Sequence, residues 1–298
     1  MSMADGMKYA FFLGCTTPVR VMQYEASTRK VAAKLGIELI DLPDFGCCGF
    51  PTEKVSHEAF LVLAARNLAV AEEKGLDVCT TCTACAGALA KVLHELKDEK
   101  KRARINELLK GTGRQVKGTV KVYHISRILF EKVGIEKLKA AVTKPMDMLK
   151  IAPHEGCHYT APHEIFDGFD DPIRPKTFKA LIEATGAKIV DYMNYRQCCG
   201  GDLLGVEEVT PTNMVHEKFD NIKKAGADAM VLQCPFCSIM YDEFQKTVEE
   251  KYSTEYKLPV LFLPQLIGMS MGMGQKELGL TKNAVKTKGL CEKAGVQK

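Results

Sequence analysis

Read as hydrophobic and polar positions, the chain lays down one order of elements twice. Lys8 to Leu13 is a short apolar run that breaks at Gly14-Cys15, the pattern of a buried strand delivering a cysteine from its C-terminal end. Val21 to Leu35 has helical periodicity and stops at Gly36. Ile37 to Ile40 then predicts a second strand, leading through Pro43 to Cys47-Cys48-Gly49. From Glu58 onward, Phe60, Leu63, Ala64, Asn67, Leu68 and Ala71 recur at i, i+3, i+4 and i+7, which marks an amphipathic helix closed by Gly75. Asp77 to Thr81 is a third strand, and Cys82-x-x-Cys85 sits where the next helix begins. Val120 to Tyr123 adds a strand and His124 to Val133 a helix.

The second half repeats this plan. A strand over Leu149 to Ala152 leads to Gly156-Cys157, and a helix over Lys176 to Thr185 is followed by a strand over Lys188 to Asp191. Cys198-Cys199-Gly200-Gly201 comes next, then a helix from about Asn213 to Ala225 and a strand running into Cys234-Pro235-Phe236-Cys237. Cys15 and Cys157 are offset by 142 residues and the later cysteines by 151 to 152, so about ten residues are inserted in the first loop of the second half. Strands alternating with helices imply parallel βαβ units, whose sites form beyond the C-terminal strand ends. The predicted fold is α/β: two pseudo-twofold-related βαβ-type halves, each a short parallel sheet flanked by helices, divided as residues 1–143 and 144–298. Each half is long enough for a core of its own. The charged run Lys97 to Arg104 between them reads as a solvated helix face. The lysine-rich tail after Gly279 is weakly patterned, and Cys291 within it is read as incidental.

Composition narrows the function. An apolar share of 46% and a charged share of 26% belong to a globular protein. The net charge of +4 is small and no basic block interleaves with aromatics, so nucleic acid is not an expected partner. No run approaches the length of a membrane span, and the opening Met1 to Gly6 lacks the charged and apolar regions of a signal peptide. A reducing cytoplasm is the expected compartment, where twelve cysteines argue for ligands or redox chemistry instead of disulfides.

Ten of those cysteines fall into two sets of five: Cys15, Cys47, Cys48, Cys82 and Cys85, then Cys157, Cys198, Cys199, Cys234 and Cys237. The order is the same in each, a single cysteine, an adjacent pair and a Cys-x-x-Cys. Thiolate-rich sets bind zinc or iron–sulfur clusters. One zinc ion takes four ligands, and two neighbouring cysteines seldom both reach it, whereas a cluster offers several irons. Iron–sulfur at both sites is therefore the leading expectation, with zinc at one site as the alternative. Cys79, Cys82 and Cys85 form two overlapping pairs; taking Cys82 and Cys85 leaves 33 residues between Cys48 and the pair, near the 34 of the second set, and Cys79 as a small buried hydrophobe. Glycines after the pairs, Gly49, Gly200 and Gly201, would let the backbone approach bulky inorganic sulfur and reach positive φ. His154, His158 and His163 cluster near Cys157, with His154 and His158 as candidate proton donors to a departing thiolate.

With these motifs the chain resembles the Cys-Cys-Gly domain family over nearly its whole length, and most of all the heterodisulfide reductase B subunits. The Leu63-to-Leu68 helix, Gly156-Cys157-His158 and Leu263-Pro264-Gln265-Leu266-Ile267-Gly268 add to the resemblance. It implies a non-cubane 4Fe-4S cluster in each five-cysteine set. It further implies cleavage, between the clusters, of the coenzyme M–coenzyme B disulfide or a related one. The implied partners are a small ferredoxin-like iron–sulfur C subunit and a flavin-containing A subunit. The alternative is an electron-transfer component of another Cys-Cys-Gly oxidoreductase, such as those of lactate, glycolate or glycerol-3-phosphate oxidation.

Overall fold

The computed structural model describes residues 7–297. Among the described residues, eight strands form two sheets. β1 (Met7–Phe12), β2 (Ile37–Asp41), β3 (Asp77–Thr80) and β4 (Val122–His124) lie in the order β2-β1-β3-β4. β5 (Lys150–His154), β6 (Lys188–Ile189), β7 (Ala229–Leu232) and β8 (Val260–Phe262) lie in the matching order β6-β5-β7-β8. Every pairing is parallel, as the strand–helix alternation requires. The α/β fold of two similar halves is thus as read from the pattern.

Differences are local. The expected strand at 188–191 keeps only Lys188–Ile189, and the helix expected from Asn213 begins at Val209. The helix after β4 is α-helical over Ile125–Ile128 and then widens into a π turn over Leu129–Val133. The charged run after Lys97 lies mostly on an exposed face of the helix Glu99–Leu109, which buries Ile105 and Leu109.

The two sheets share one interior. Alternating side chains split each strand between two faces: Ala10, Phe12, Ala152 and Met230 enter one apolar cluster, and Tyr9, Phe11, Ile151 and Val231 the other. Both clusters draw on both halves. Across the divide, the end of each half's last strand packs on the other half. Tyr24 stacks on Phe262 at the end of β8, with ring centroids 4.0 Å apart, while Tyr159 meets His124 at the end of β4 edge-on at 5.8 Å. The hydroxyl of Tyr24 and Nε2 of His124 both donate to the carbonyl of Gln233, each at 3.0 Å. The tail is part of this core: Leu290, Cys291 and Ala294 are buried, so Cys291 is a packed core residue.

Candidate iron–sulfur centres

Each cysteine of the two sets follows the C-terminal end of a strand, where a parallel sheet opens its crevice. Cys15 follows β1, the Cys47-Cys48 turn follows β2, and Cys82 follows β3 as the residue that opens the helix Thr83–Glu95. Cys157, Cys198-Cys199 and Cys234 follow β5, β6 and β7 in the same manner, and Cys234 opens the short helix Pro235–Ser238. Cys85 and Cys237 thus sit in first helical turns, where neighbouring thiols and burial push both well above an ordinary thiol.

All five cysteines of the first set line one pocket, together with Thr17, Phe50, Ala84 and Phe236. All five of the second line another, with His158 and Asp202. Phe50, Ala84 and Phe236 belong to both, so the two pockets share a wall. Among the described residues, no three His, Cys, Asp or Glu side chains converge as a single ion requires. Five thiols lining each pocket exceed the four ligands that one zinc ion takes, and a cluster of several irons offers places for all of them. Cys79 is fully buried within β3, outside either pocket, as the spacing argument expected. A wider hollow beside β4, lined by His94, Lys97, Arg127 and Glu131, touches none of the cysteines.

The thiols run as one series of neighbours that shift one another's ionisation: Cys47–Cys48–Cys85–Cys82–Cys234–Cys237–Cys199–Cys198–Cys157. Its central link, Cys82 to Cys234, joins the two sets. Cys48 falls to about 4 because Cys47 and Cys85 donate to it, and Cys198 to about 2 because Cys157 and Cys199 do. Cys234, accepting from Cys237 and Cys82, lies well below an ordinary thiol. These sites favour thiolate, the form that binds iron.

The glycines work through their backbone. The amides of Gly49 and Gly200 each donate to the sulfur two residues earlier, Cys47 and Cys198, at 3.4 Å, and Gly201 does so to Cys199. Gly49 and Gly200 take positive φ, at 82° and 75°. What crowds them is protein: a Cβ on Gly200 would lie 2.7 Å from Cβ of Pro211, and one on Gly49 3.1 Å from the carbonyl of Phe60.

The three histidines part company. His158 lines the second pocket, edge-on to Phe50 at 5.0 Å. His154 is buried, its Nε2 3.3 Å from Sγ of Cys237, and burial holds its ring well below the usual imidazole range. His163 is exposed and lines neither pocket. Sequence reading passed over Lys218, which is fully buried behind the second set. Its Nζ donates to the carbonyls of Gln197 at 2.8 Å and Tyr195 at 3.2 Å, and lies 3.3 Å from Nδ1 of His154. Burial lowers it to about 8. Its signal was present in the sequence: a lysine between Val215, Phe219 and Ile222 on the apolar stripe of its helix.

A five-cysteine site at the strand ends of each duplicated βαβ half defines a cysteine-rich iron–sulfur protein. The sequence profile of the cysteine-rich (CCG) domain matches residues 9–90 and again 151–242. The chain belongs to the family of heterodisulfide reductase B subunits. It is 38% identical over 283 residues to the B subunit of the ferredoxin/F420H2-dependent CoB-CoM heterodisulfide reductase of Methanosarcina acetivorans, covering 93% of this chain and 94% of that one. It is 33% identical over 279 residues to the 8-methylmenaquinol:fumarate reductase membrane anchor subunit of Wolinella succinogenes, covering 93% and 97%. A solved structure of a hypothetical protein from Helicobacter pylori shares the fold with a TM-score of 0.76 at 19% identity, over 94% of this chain and 52% of its own. No described helix here is long and apolar enough to cross a membrane.

Proposed function

We propose that this chain is the disulfide-reducing component of a multi-subunit oxidoreductase of the heterodisulfide reductase type. The observation that carries the reading is the pair of five-cysteine pockets sharing one wall. Cleaving a disulfide takes two electrons, and an iron–sulfur cluster usually passes one. Each pocket would hold one 4Fe-4S cluster, of the family's non-cubane type, through its own five cysteines. Bound there, the clusters supply one electron apiece and an iron for each sulfur.

The remaining work falls to the chain. Phe50, Ala84 and Phe236 hold the disulfide between the pockets and keep water from it. His158 hands a proton to the thiolate leaving on the second side, and solvent supplies the other. His154 keeps its ring against Cys237 and serves that ligand. One disulfide, two electrons and two protons thus give two thiols. The substrate class is the coenzyme M–coenzyme B heterodisulfide or a related disulfide. Electrons come from a ferredoxin-like C subunit and a flavin-containing A subunit in the cytoplasm, and residues 1–143 and 144–298 are the duplicated units.

The test is spectroscopic. Oxidised, anaerobically prepared protein treated with its thiol product gives a new paramagnetic signal, broadened when the thiol carries ³³S. A signal that no candidate thiol broadens turns the assignment to an electron relay. The Wolinella relative, by its name part of a quinol:fumarate reductase, is what favours that second reading.

A further inference from the structure

The repeat allows residues of the two halves to be paired by position. Lys218 stands twenty residues after Cys198, as Asn67 stands twenty after Cys47, and His154 stands two before Gly156, as Phe12 stands two before Gly14. Lys218 and Asn67 share a structural task. Asn67 accepts from the amide of Gly46 and donates to the carbonyl of Cys47, both at 2.8 Å, fastening the first Cys-Cys turn to its helix. Lys218 fastens the second turn through the carbonyls of Gln197 and Tyr195. A neutral amide suffices for the task in one half, so the ammonium in the other brings something further.

That something is charge without an ordinary partner. The three ammonium protons meet three neutral acceptors, Gln197 O, Tyr195 O and Nδ1 of His154, with the rings of Tyr192 and Tyr241 at 5.9 and 5.8 Å. Among the described residues, no carboxylate forms an ion pair with Lys218; Glu155 nearby is taken by Arg196. A buried cation lacking a counter-charge costs several kcal/mol. The sulfurs of Cys198, Cys199 and Cys237 are near enough to act on Lys218, and as metal ligands they would carry negative charge. The hydrogen bonds point the same way. Lys218 donates to Nδ1 of His154, which leaves the imidazole proton on Nε2, facing Sγ of Cys237 at 3.3 Å. Phe12 has no such proton to offer in the first half.

We propose that Lys218 and His154 make the two metal centres unequal, so that the second-half cluster is the more easily reduced and holds the electron that both could share. A positive charge and an N–H···S bond each stabilise the added negative charge, and net charge and hydrogen bonds to sulfur are established determinants of cluster potential. The inference rests on each five-cysteine set holding a cluster. It does not depend on which disulfide, if any, is the substrate. Lys218 acts here as a positioning residue, working through the field and through His154.

The experiment is an anaerobic redox titration of the full chain followed by electron paramagnetic resonance, with iron content measured on every sample. The doubly substituted Cys47→Ser, Cys48→Ser protein removes the first centre, and the remaining centre should titrate at the higher of the two wild-type potentials. Lys218→Met should lower that potential by about the 59 mV that equals a tenfold shift in one-electron partition, and Lys218→Arg should restore it. His154→Phe, which copies the first half, should lower it by a smaller step. Should Lys218→Met fail to fold, the ordering in the Cys47, Cys48 variant and the His154→Phe shift still decide. A remaining centre at the lower potential, or equal potentials in the wild type, overturns the proposal. Iron at neither site instead overturns the reading of the cysteine sets beneath it.

Discussion

The two halves carry the same cysteines on the same strand ends and differ in what lies behind and over them. In the first half, Cys15 leads directly into the helix Thr17–Arg20, and its pocket is walled mostly by apolar side chains such as Leu13, Phe50 and Pro51. In the second, about ten extra residues follow Cys157, and the loop that holds them carries His158 over the pocket. Behind the sulfurs, Phe12 and Asn67 face His154 and Lys218 across the repeat. Where Gly201 leaves room beside Cys199, the first half has Phe50, whose ring lines both pockets. Cysteine positions are thus held constant while the electrostatic setting has diverged. Geometry fixes what binds, and the surroundings fix how each centre behaves.

The largest effect should come from removing a ligand on one side only. With two 4Fe-4S clusters the protein holds about eight irons, and Cys198→Ser should leave about four. Its thermal stability should fall markedly as well, because ligands from distant segments meet at the site. About four irons and one zinc in the unsubstituted chain would show instead that the halves hold different metals. Cys291→Ser should keep all the iron and cost about 1–2 kcal/mol by putting a hydroxyl into the core, measured by denaturant titration.

A smaller break in the symmetry is available at the turns. Gly200→Ala combines φ of +75° with a contact of 2.7 Å to Pro211, and should destabilise by about 2–3 kcal/mol. Gly201→Ala, with negative φ and no neighbour closer than 3.4 Å, should cost under about 1 kcal/mol. Equal losses in chemical denaturation would mean that the turn gives way and the strain is not local.

A pH dependence, spread over about two pH units, is confined to the second half. Asp242 follows Cys237 by five residues, as Ala90 follows Cys85. It accepts from the amides of Ala284 and Val285, docking the tail, and burial pushes its carboxyl up from 3.8 to about 6. Between those values the folded state binds a proton that the unfolded state has released, so stability falls as pH rises from about 4 to 6 and levels off above. The loss should be about 2–3 kcal/mol. Thermal melts across that range should show it in the native chain and not in Asp242→Asn.

Much of this was legible in the sequence because cysteine spacing and strand–helix alternation repeat together. The ten ligand candidates, the place of Cys79 and the parallel sheets all follow from it. What escaped has physical reasons. β8 is three residues long, too short for any period, and the tail's buried side chains Leu280, Leu290 and Val296 lie too far apart to form one. The core could not be apportioned from the pattern either, since periodicity shows which face is apolar and not which partner covers it. Lys218 reads as an ordinary charge until its place on the stripe is matched with Asn67. His154 and His158 look alike in sequence, and only β5 and the loop after Cys157 send one inward and the other to the pocket.

The packing of each half's last strand end on the other half, Phe262 on Tyr24 and His124 on Tyr159, has an evolutionary corollary. It is the contact pattern of a twofold dimer, in which any substitution appears on both sides at once. Joining two such protomers in one polypeptide keeps them at high effective concentration and releases them from identity. A lysine acquired at one Cys-Cys turn then need not be acquired at the other. Covalent linkage, more than any single residue, is what permits a symmetric vessel to acquire a direction.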